Sequence, residues 1–386
     1  MPSEAAGGAG PRPLPSSAAE DRAGAVLDID LGAIVENWRA LGRRVGPAAS
    51  CAGVVKADAY GLGMARVAPA LAAAGCRLFF VAHLDEAISL RRLLPDRDIA
   101  VLNGLLPGTA ADFTAFRLMP VLNDLGQVEA WRRHCLAEPA TGAAILHIDT
   151  GMARLGLAPD ETARLKAERE RLGGIRLFAI MSHLACADEP AHPLNAQQLD
   201  RFRTALSGLP PAPASLAASS GIFLGPDYHF TIARPGAAVY GVNPQPGRPN
   251  PMAQAVILKG RIIQTRDVDR GDTVGYGATH RLDRPGRIAT VAVGYADGWL
   301  RSLSNRGGAV IAGQPVPLIG RVSMDLITLD VSGLEPHLAR PGAFVELIGR
   351  DRTVDDVAAE AGTIGYEILT LLGRRYHRVY RDVAAS

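Results

Sequence analysis

"SCAGVVKADAYGLGMARVAPALAAAGCRLFFVA", residues 50–82, holds the repeating pattern of this chain in one copy. Two short apolar runs, "SCAGVV" and "CRLFFV", flank a segment in which Met64, Val67, Ala68 and Leu71 recur at helical spacing. Apolar runs too short for helices, joined by a segment of 3.6-residue period, predict strand, helix, strand, with the strands parallel. The alternation continues on both sides. "AVLDIDL" reads as a strand and "GAIVENWRALGRRV" as a helix with Ile34, Trp38 and Leu41 on one face. Downstream, "IAVLNG", "MPVLND", "AAILHIDT", "IRLFAIMSHL", "SLAASS" and "AAVYG" read as further strands or strand ends with helical segments among them. About eight such units over roughly 220 residues favour a closed (β/α)8 TIM-like barrel over an open sheet.

The period changes after "VNPQPGRPNPMAQ", residues 242–254, a Pro-rich linker. Beyond it come "VILKGRIIQTRDV", "RIATVAVGYADG", "GAVIAG", "LITLDV" and "AFVELIG", separated by Gly, Pro and Asp turns. This predicts a mainly antiparallel β domain, with a return to helix at "VDDVAAEAGTIGYEILTLL". The expected division is a disordered tail over 1–24, a barrel domain over 25–247 and a β domain over 248–386. The first strand, 25–30, is a candidate partner for the β domain.

Composition narrows the function classes. The net charge is +2 and the basic residues are scattered among acids, which gives no case for nucleic acid or an acidic membrane surface. No run approaches a membrane span. The tail lacks an apolar h-region, so it does not read as a secretory signal. The four cysteines have neither CxxC pairing nor metal-ligand spacing, which suits reduced thiols in the cytoplasm and no metal. Of 41 basic residues only Lys56, Lys166 and Lys259 are lysine. Arginine stays protonated, whereas lysine can become a neutral amine, a nucleophile and a base. Lys166 lies in a charged helical pattern and Lys259 follows a strand run. Lys56 alone sits between a buried strand and a Gly-flanked tyrosine.

In a β/α barrel, chemistry collects at the C-terminal ends of the strands. Lys56, Arg154, His183, Ser219, Ser220 and Arg234 all follow predicted strands, so their loops are expected to face one mouth.

The chain resembles the alanine racemase family, pyridoxal-phosphate enzymes built from a β/α barrel and a β domain. The matching motifs are "VVKADAYGLG", "HIDTGMARLG", "SHLACADE", "ARPGAAVYG", "VGYGATH", "VAVGYADGWLR", "GRVSMDLITLDV" and "IGYEILTLL", in the family's order. The resemblance implies interconversion of L-alanine and D-alanine, with pyridoxal 5'-phosphate held as a Schiff base on Lys56. Lys56 and Tyr276 would be opposed bases at Cα, the tyrosine coming from the partner subunit of a homodimer. It places Tyr60, Ser220, the amides of Gly236 and Ala237, and Tyr366 on the phosphate. Arg234 would face the ring nitrogen and disfavour its protonation, with His183 holding Arg234. Arg154 would bond the ring oxygen and approach the substrate carboxylate, joined by the Met324 amide. Asp188, Tyr295, Arg301, Arg321 and Asp325 resemble residues near the substrate or along its access corridor. A racemase of another amino acid such as serine, or a basic amino-acid decarboxylase, stays open as an alternative. One position departs from the family. Many members carry a carbamylated lysine two residues before the Asp of "DTGM"; here it is His147, which leaves open what orients Arg154.

Overall fold

A computed structural model describes residues 18–138 and 142–382. The expected barrel is present. Parallel pairings run from Gly53–Val54 through Leu78–Val81, Asp98–Val101, Met119–Leu122, Ala143–His147 and Arg176–Met181 to Ala214–Ser215. An eighth strand closes the ring. Thr231 N donates to Ala214 O at 3.0 Å and Arg234 N to Ala217 O at 2.9 Å on one side. On the other, Ser50 N donates to Thr231 O and Ala52 N to Ala233 O, both at 2.9 Å. Strands Leu78–Val81 and Met119–Leu122 are buried along their whole length. Barrel strands are covered on both faces, which is why their sequences are continuous apolar runs rather than alternating ones.

The helices turn apolar stripes to this ring. In Leu31–Val45 the Asp30 side chain accepts from Ala33 N at 2.9 Å, and Gly46 ends the helix at φ 79°. Ile34 and Leu41 are buried. Asn37, also buried, donates to Val239 O and Ala253 O and accepts from Ala253 N, so its amide is satisfied in the interior.

The chain forms two compact units, and their division differs from the linear expectation. The barrel unit spans Asp28–Ile257 and also takes Ile348–Leu372 and the segment from Tyr380. The helices Val354–Ala361 and Gly365–Leu371 therefore pack with the barrel, not with the β domain expected over 248–386. Asp355 fixes them by accepting from Asn243 N at 2.9 Å, and a side chain at Gly365 would press on Val242. The other unit comprises the described residues up to Leu27, Leu258–Leu347 and Gly373–Val379. In its sheet Val256–Val268 pairs antiparallel with Gly286–Val291, and Gly286–Val291 with Ile327–Asp330. Ala25–Asp30 lies between Val256–Val268 and His377–Arg381 in the same sheet.

The disordered tail expected over 1–24 falls largely outside the described residues. Residues 1–17 lie outside the described residues, but Ala18–Arg22 is helical. The Arg261 guanidinium holds this end of the chain, donating to Glu20 O within the helix and to Ala23 O just after it, both at 2.9 Å.

Candidate active site

Lys56 follows the strand Gly53–Val54, where Val55 N donates to Phe80 O of the neighbouring strand at 2.9 Å. The backbone then coils the wrong way. Ala57, Asp58, Ala59 and Tyr60 have φ from 53° to 55°, a left-handed turn of four non-glycine residues. Tyr60 thus stands one turn beyond Lys56, but the turn is left-handed. Each such residue costs about 1 kcal/mol or more through its Cβ, so the surroundings must hold the turn. Three contacts do so. Ala57 N donates to Glu86 Oε1 at 2.6 Å, Met64 N donates to Asp58 Oδ1 at 2.7 Å, and the buried Tyr60 ring stacks near Tyr240 with centroids 4.9 Å apart.

These elements wall a cavity of about 520 Å³ in the barrel unit. Its lining includes Lys56, Tyr60, His147, Arg154, His183 and Arg234, with Ser219, Gly236, Ala237 and Tyr366. Most of the residues singled out in the barrel sequence thus meet at one place. Ser219 and Ser220 differ: Ser219 lines this cavity as well as the one beside it, and its Oγ accepts from Gly236 N at 3.0 Å and Ala238 N at 3.2 Å. Ser220 opens instead on that adjoining cavity, of about 490 Å³, with Asp188, Asp355 and Tyr366.

Electrostatics here is cationic. Arg234 is buried, donates to Ser215 Oγ and to Ser182 O at 2.7 Å, and lies 3.4 Å from His183 Nδ1. Burial brings its guanidinium down to about 10, still charged at neutral pH. Burial and the Arg234 charge hold His183 neutral, well below the usual histidine range. Burial lowers the Lys56 ammonium, Arg154 lowers it further, and Glu86 opposes both.

His147 is set by Asn123, whose Oδ1 is 2.7 Å from His147 Nδ1. Asn123 Nδ2 donates to Val121 O at 3.0 Å and Leu102 O at 3.1 Å, so the amide oxygen faces the ring and must accept. The imidazole therefore carries its proton on Nδ1 and leaves Nε2 as an acceptor. Burial first, then Arg234, pushes its pKa down to about 3. The Arg154 loop is built on Asp149, whose Oδ1 accepts from Gly151 N at 2.8 Å and Met152 N at 2.9 Å. Gln198 braces that loop and the next: it donates to Thr150 Oγ1 at 3.2 Å and His183 O at 2.9 Å. Glu86, Asn123, Asp149 and Gln198 were not singled out from sequence. The signal available for Asn123 was its place at a strand end, parallel to Asn103 and His147.

Tyr276, Tyr295, Arg301, Arg321, Met324 and Asp325 belong to the β unit. Tyr276 is 73% exposed, and Met324 and Tyr295 are exposed too. The Arg321 guanidinium lies against Gly277, where a Cβ would stand 3.0 Å from Nη1. Arg375 forks onto both oxygens of Asp297 at 2.7 and 2.8 Å and onto Asp325 at 2.7 Å, tying the Tyr295 turn to the Met324 loop. Among the described residues no group of His, Cys, Asp and Glu is arranged to hold a metal ion, and no helix is long and apolar enough to cross a membrane.

Two family descriptions match the chain: "Alanine racemase, N-terminal domain" over residues 29–244 and "Alanine racemase, C-terminal domain" over 255–380. The chain is 52% identical over 365 residues to an alanine racemase of Rhodospirillum rubrum, covering 94% of this chain and 98% of that protein. It is 51% identical over 362 residues to a catabolic alanine racemase of Mesorhizobium japonicum, covering 94% of each. Its fold is similar to the crystal structure of alanine racemase from Bartonella henselae with covalently bound pyridoxal phosphate. That match has a TM-score of 0.90 and 40% identity, over 93% of this chain and 100% of the other.

Proposed function

The chain belongs to the alanine racemase family, and on that premise we propose that it interconverts L-alanine and D-alanine with Lys56 and Tyr276 as opposed bases. The observation that carries the reading is Lys56, an amine at a barrel strand end, lining one cavity with the buried Arg234 and with His183.

The residues fit pyridoxal phosphate. Lys56 offers an amine to its aldehyde. A side chain at Gly236 would overlap the Tyr60 hydroxyl, so hydroxyl and bare backbone form a concave polar wall suited to phosphate. Tyr366 lines the same wall. The permanent cation Arg234 suits a pyridine nitrogen left unprotonated, by like-charge repulsion. Bound there, the cofactor supplies an electron-withdrawing ring that acidifies the Cα–H of the amino acid it carries.

The chain's own groups then move the proton. Lys56, its ammonium destabilised by burial and by Arg154, more readily presents a neutral amine to accept the Cα proton on one face. The Tyr276 phenol returns a proton on the other face. Its exposure within its own unit suits a group that reaches the cavity of a second subunit. Arg154 and the Met324 amide take the substrate carboxylate, and the protein is a homodimer with shared sites, an isologous arrangement. The free cysteines support a reducing, cytoplasmic setting.

Alanine deuterated at Cα, supplied as either enantiomer, tests this. Lys56→Arg should abolish racemisation in both directions together with the visible absorbance of the covalently held cofactor. Tyr276→Phe should lower racemisation by roughly 10²-fold or more while the two enantiomers lose deuterium at unequal rates. Normal turnover by Lys56→Arg, or small and equal losses for Tyr276→Phe, would overturn the assignment.

A further inference from the structure

Glu86 opens the helix Leu84–Leu93, three residues past His83. A glutamate there commonly closes a capping box by accepting the backbone N–H at the helix start. Glu86 does this with one oxygen: Oε2 accepts from Ala82 N at 2.9 Å and His83 N at 3.1 Å. Its second oxygen has a different task. Oε1 accepts from Ala57 N at 2.6 Å, the residue next to Lys56. A cap does not need that bond.

The left-handed turn explains why the bond matters. Inside it Ala59 N donates to Val55 O, Gly61 N to Ala57 O and Gly63 N to Asp58 O. The Ala57 N–H begins the turn and finds its acceptor on the neighbouring β/α unit. One carboxylate thus joins two adjacent strand ends, the one bearing Lys56 and the one ending at Ala82. Of the charges acting on Lys56, Arg154 opposes protonation and Glu86 favours it.

We infer that Glu86 is a positioning residue for Lys56: its carboxylate clamps the left-handed turn that sets both Lys56 and Tyr60. The inference rests on the proposed role of Lys56 as the cofactor-bearing lysine. Glutamine cannot replace Glu86. Its single oxygen serves either Ala57 or the pair at Ala82 and His83, and its amide meets the other N–H donor to donor. Aspartate keeps the charge but falls short by one methylene.

The chain has three lysines, so each can be followed separately. Acetic anhydride labelling of cofactor-stripped full-length protein across a pH series, read by peptide mass, gives the titration midpoint of each amine. Retention of pyridoxal phosphate on dialysis reports the geometry of the turn. Glu86→Gln should lower the Lys56 midpoint and leave Lys166 and Lys259 unmoved. It should also release cofactor about tenfold faster, the scale of one charge-assisted hydrogen bond. Glu86→Asp should keep the Lys56 midpoint near wild type yet still release cofactor faster. Unchanged Lys56 midpoint and retention in Glu86→Gln overturn the inference, as does a Glu86→Asp midpoint displaced like that of Glu86→Gln. If Glu86→Gln fails to fold, unchanged retention in Glu86→Asp overturns it. Borohydride reduction of the wild-type holoenzyme separates the two claims: a tag on Lys166 or Lys259 removes the reading of Lys56, whereas a tag on Lys56 with silent Glu86 variants removes this inference alone.

Discussion

His147 donates its Nδ1 proton to Asn123 and keeps a neutral ring in the barrel interior. Its folded pKa, about 3, lies below the ordinary value of 6.5. Between those values the unfolded chain binds a proton that the folded protein refuses, so stability is lost as pH falls from 6.5 towards 3. The slope from one such group is at most about 1.4 kcal/mol per pH unit. In cofactor-free protein, His147→Gln should flatten urea-measured stability between pH 7 and pH 5, with His183 supplying the remaining slope. An unchanged slope would mean the ring is not held neutral. His147 was legible in the sequence only as a departure from the family's motif. Its partner was not, because Asn123 comes from the preceding strand 24 residues away and barrel pairing brings the two together. The same holds for Glu86, 29 residues beyond Ala57. Motifs name the groups that meet the substrate; their supports arrive by topology.

The element that the sequence concealed most fully is the left-handed turn Ala57–Tyr60. Alanine gives no signal for positive φ, so "KADAYG" reads as an ordinary helical start. The barrel strands were legible because burial on both faces makes them apolar throughout. The turn was not, because its conformation is imposed by Glu86, Asp58 and the packing of Tyr60. This inverts the usual effect of glycine. Ala57 is exposed and its Cβ adds only strain, whereas Ala70 sits in the right-handed helix Met64–Ala73. Ala70→Gly should destabilise the protein by about 1 kcal/mol. Ala57→Gly should leave stability equal or raise it by up to about 1 kcal/mol, since relief at positive φ outweighs the entropy of glycine. Denaturant midpoints with unchanged slopes would check both, and equal losses at the two positions would refute the strain argument.

At the scale of the molecule, the barrel and β domain were legible from the change in period, but the boundary was not. A linear reading assigns everything after the linker to the β domain, yet residues 348–372 return to the barrel unit. Amphipathic helices such as Val354–Ala361 carry no label saying which sheet they cover; the Asp355 bond to Asn243 decides it. The proposed dimer makes a sharper claim. If each site takes Lys56 from one subunit and Tyr276 from the other, Lys56→Ala and Tyr276→Ala homodimers are both inactive. Their heterodimer is not. One of its sites combines both substitutions, and the other combines the intact Lys56 of the Tyr276→Ala subunit with the intact Tyr276 of the Lys56→Ala subunit. Co-expression with two different affinity tags isolates that species, and it should recover about half the wild-type racemisation per dimer, as symmetry requires. Were Lys56 and Tyr276 to act within one subunit, every site in the heterodimer would lack a base and no activity would return.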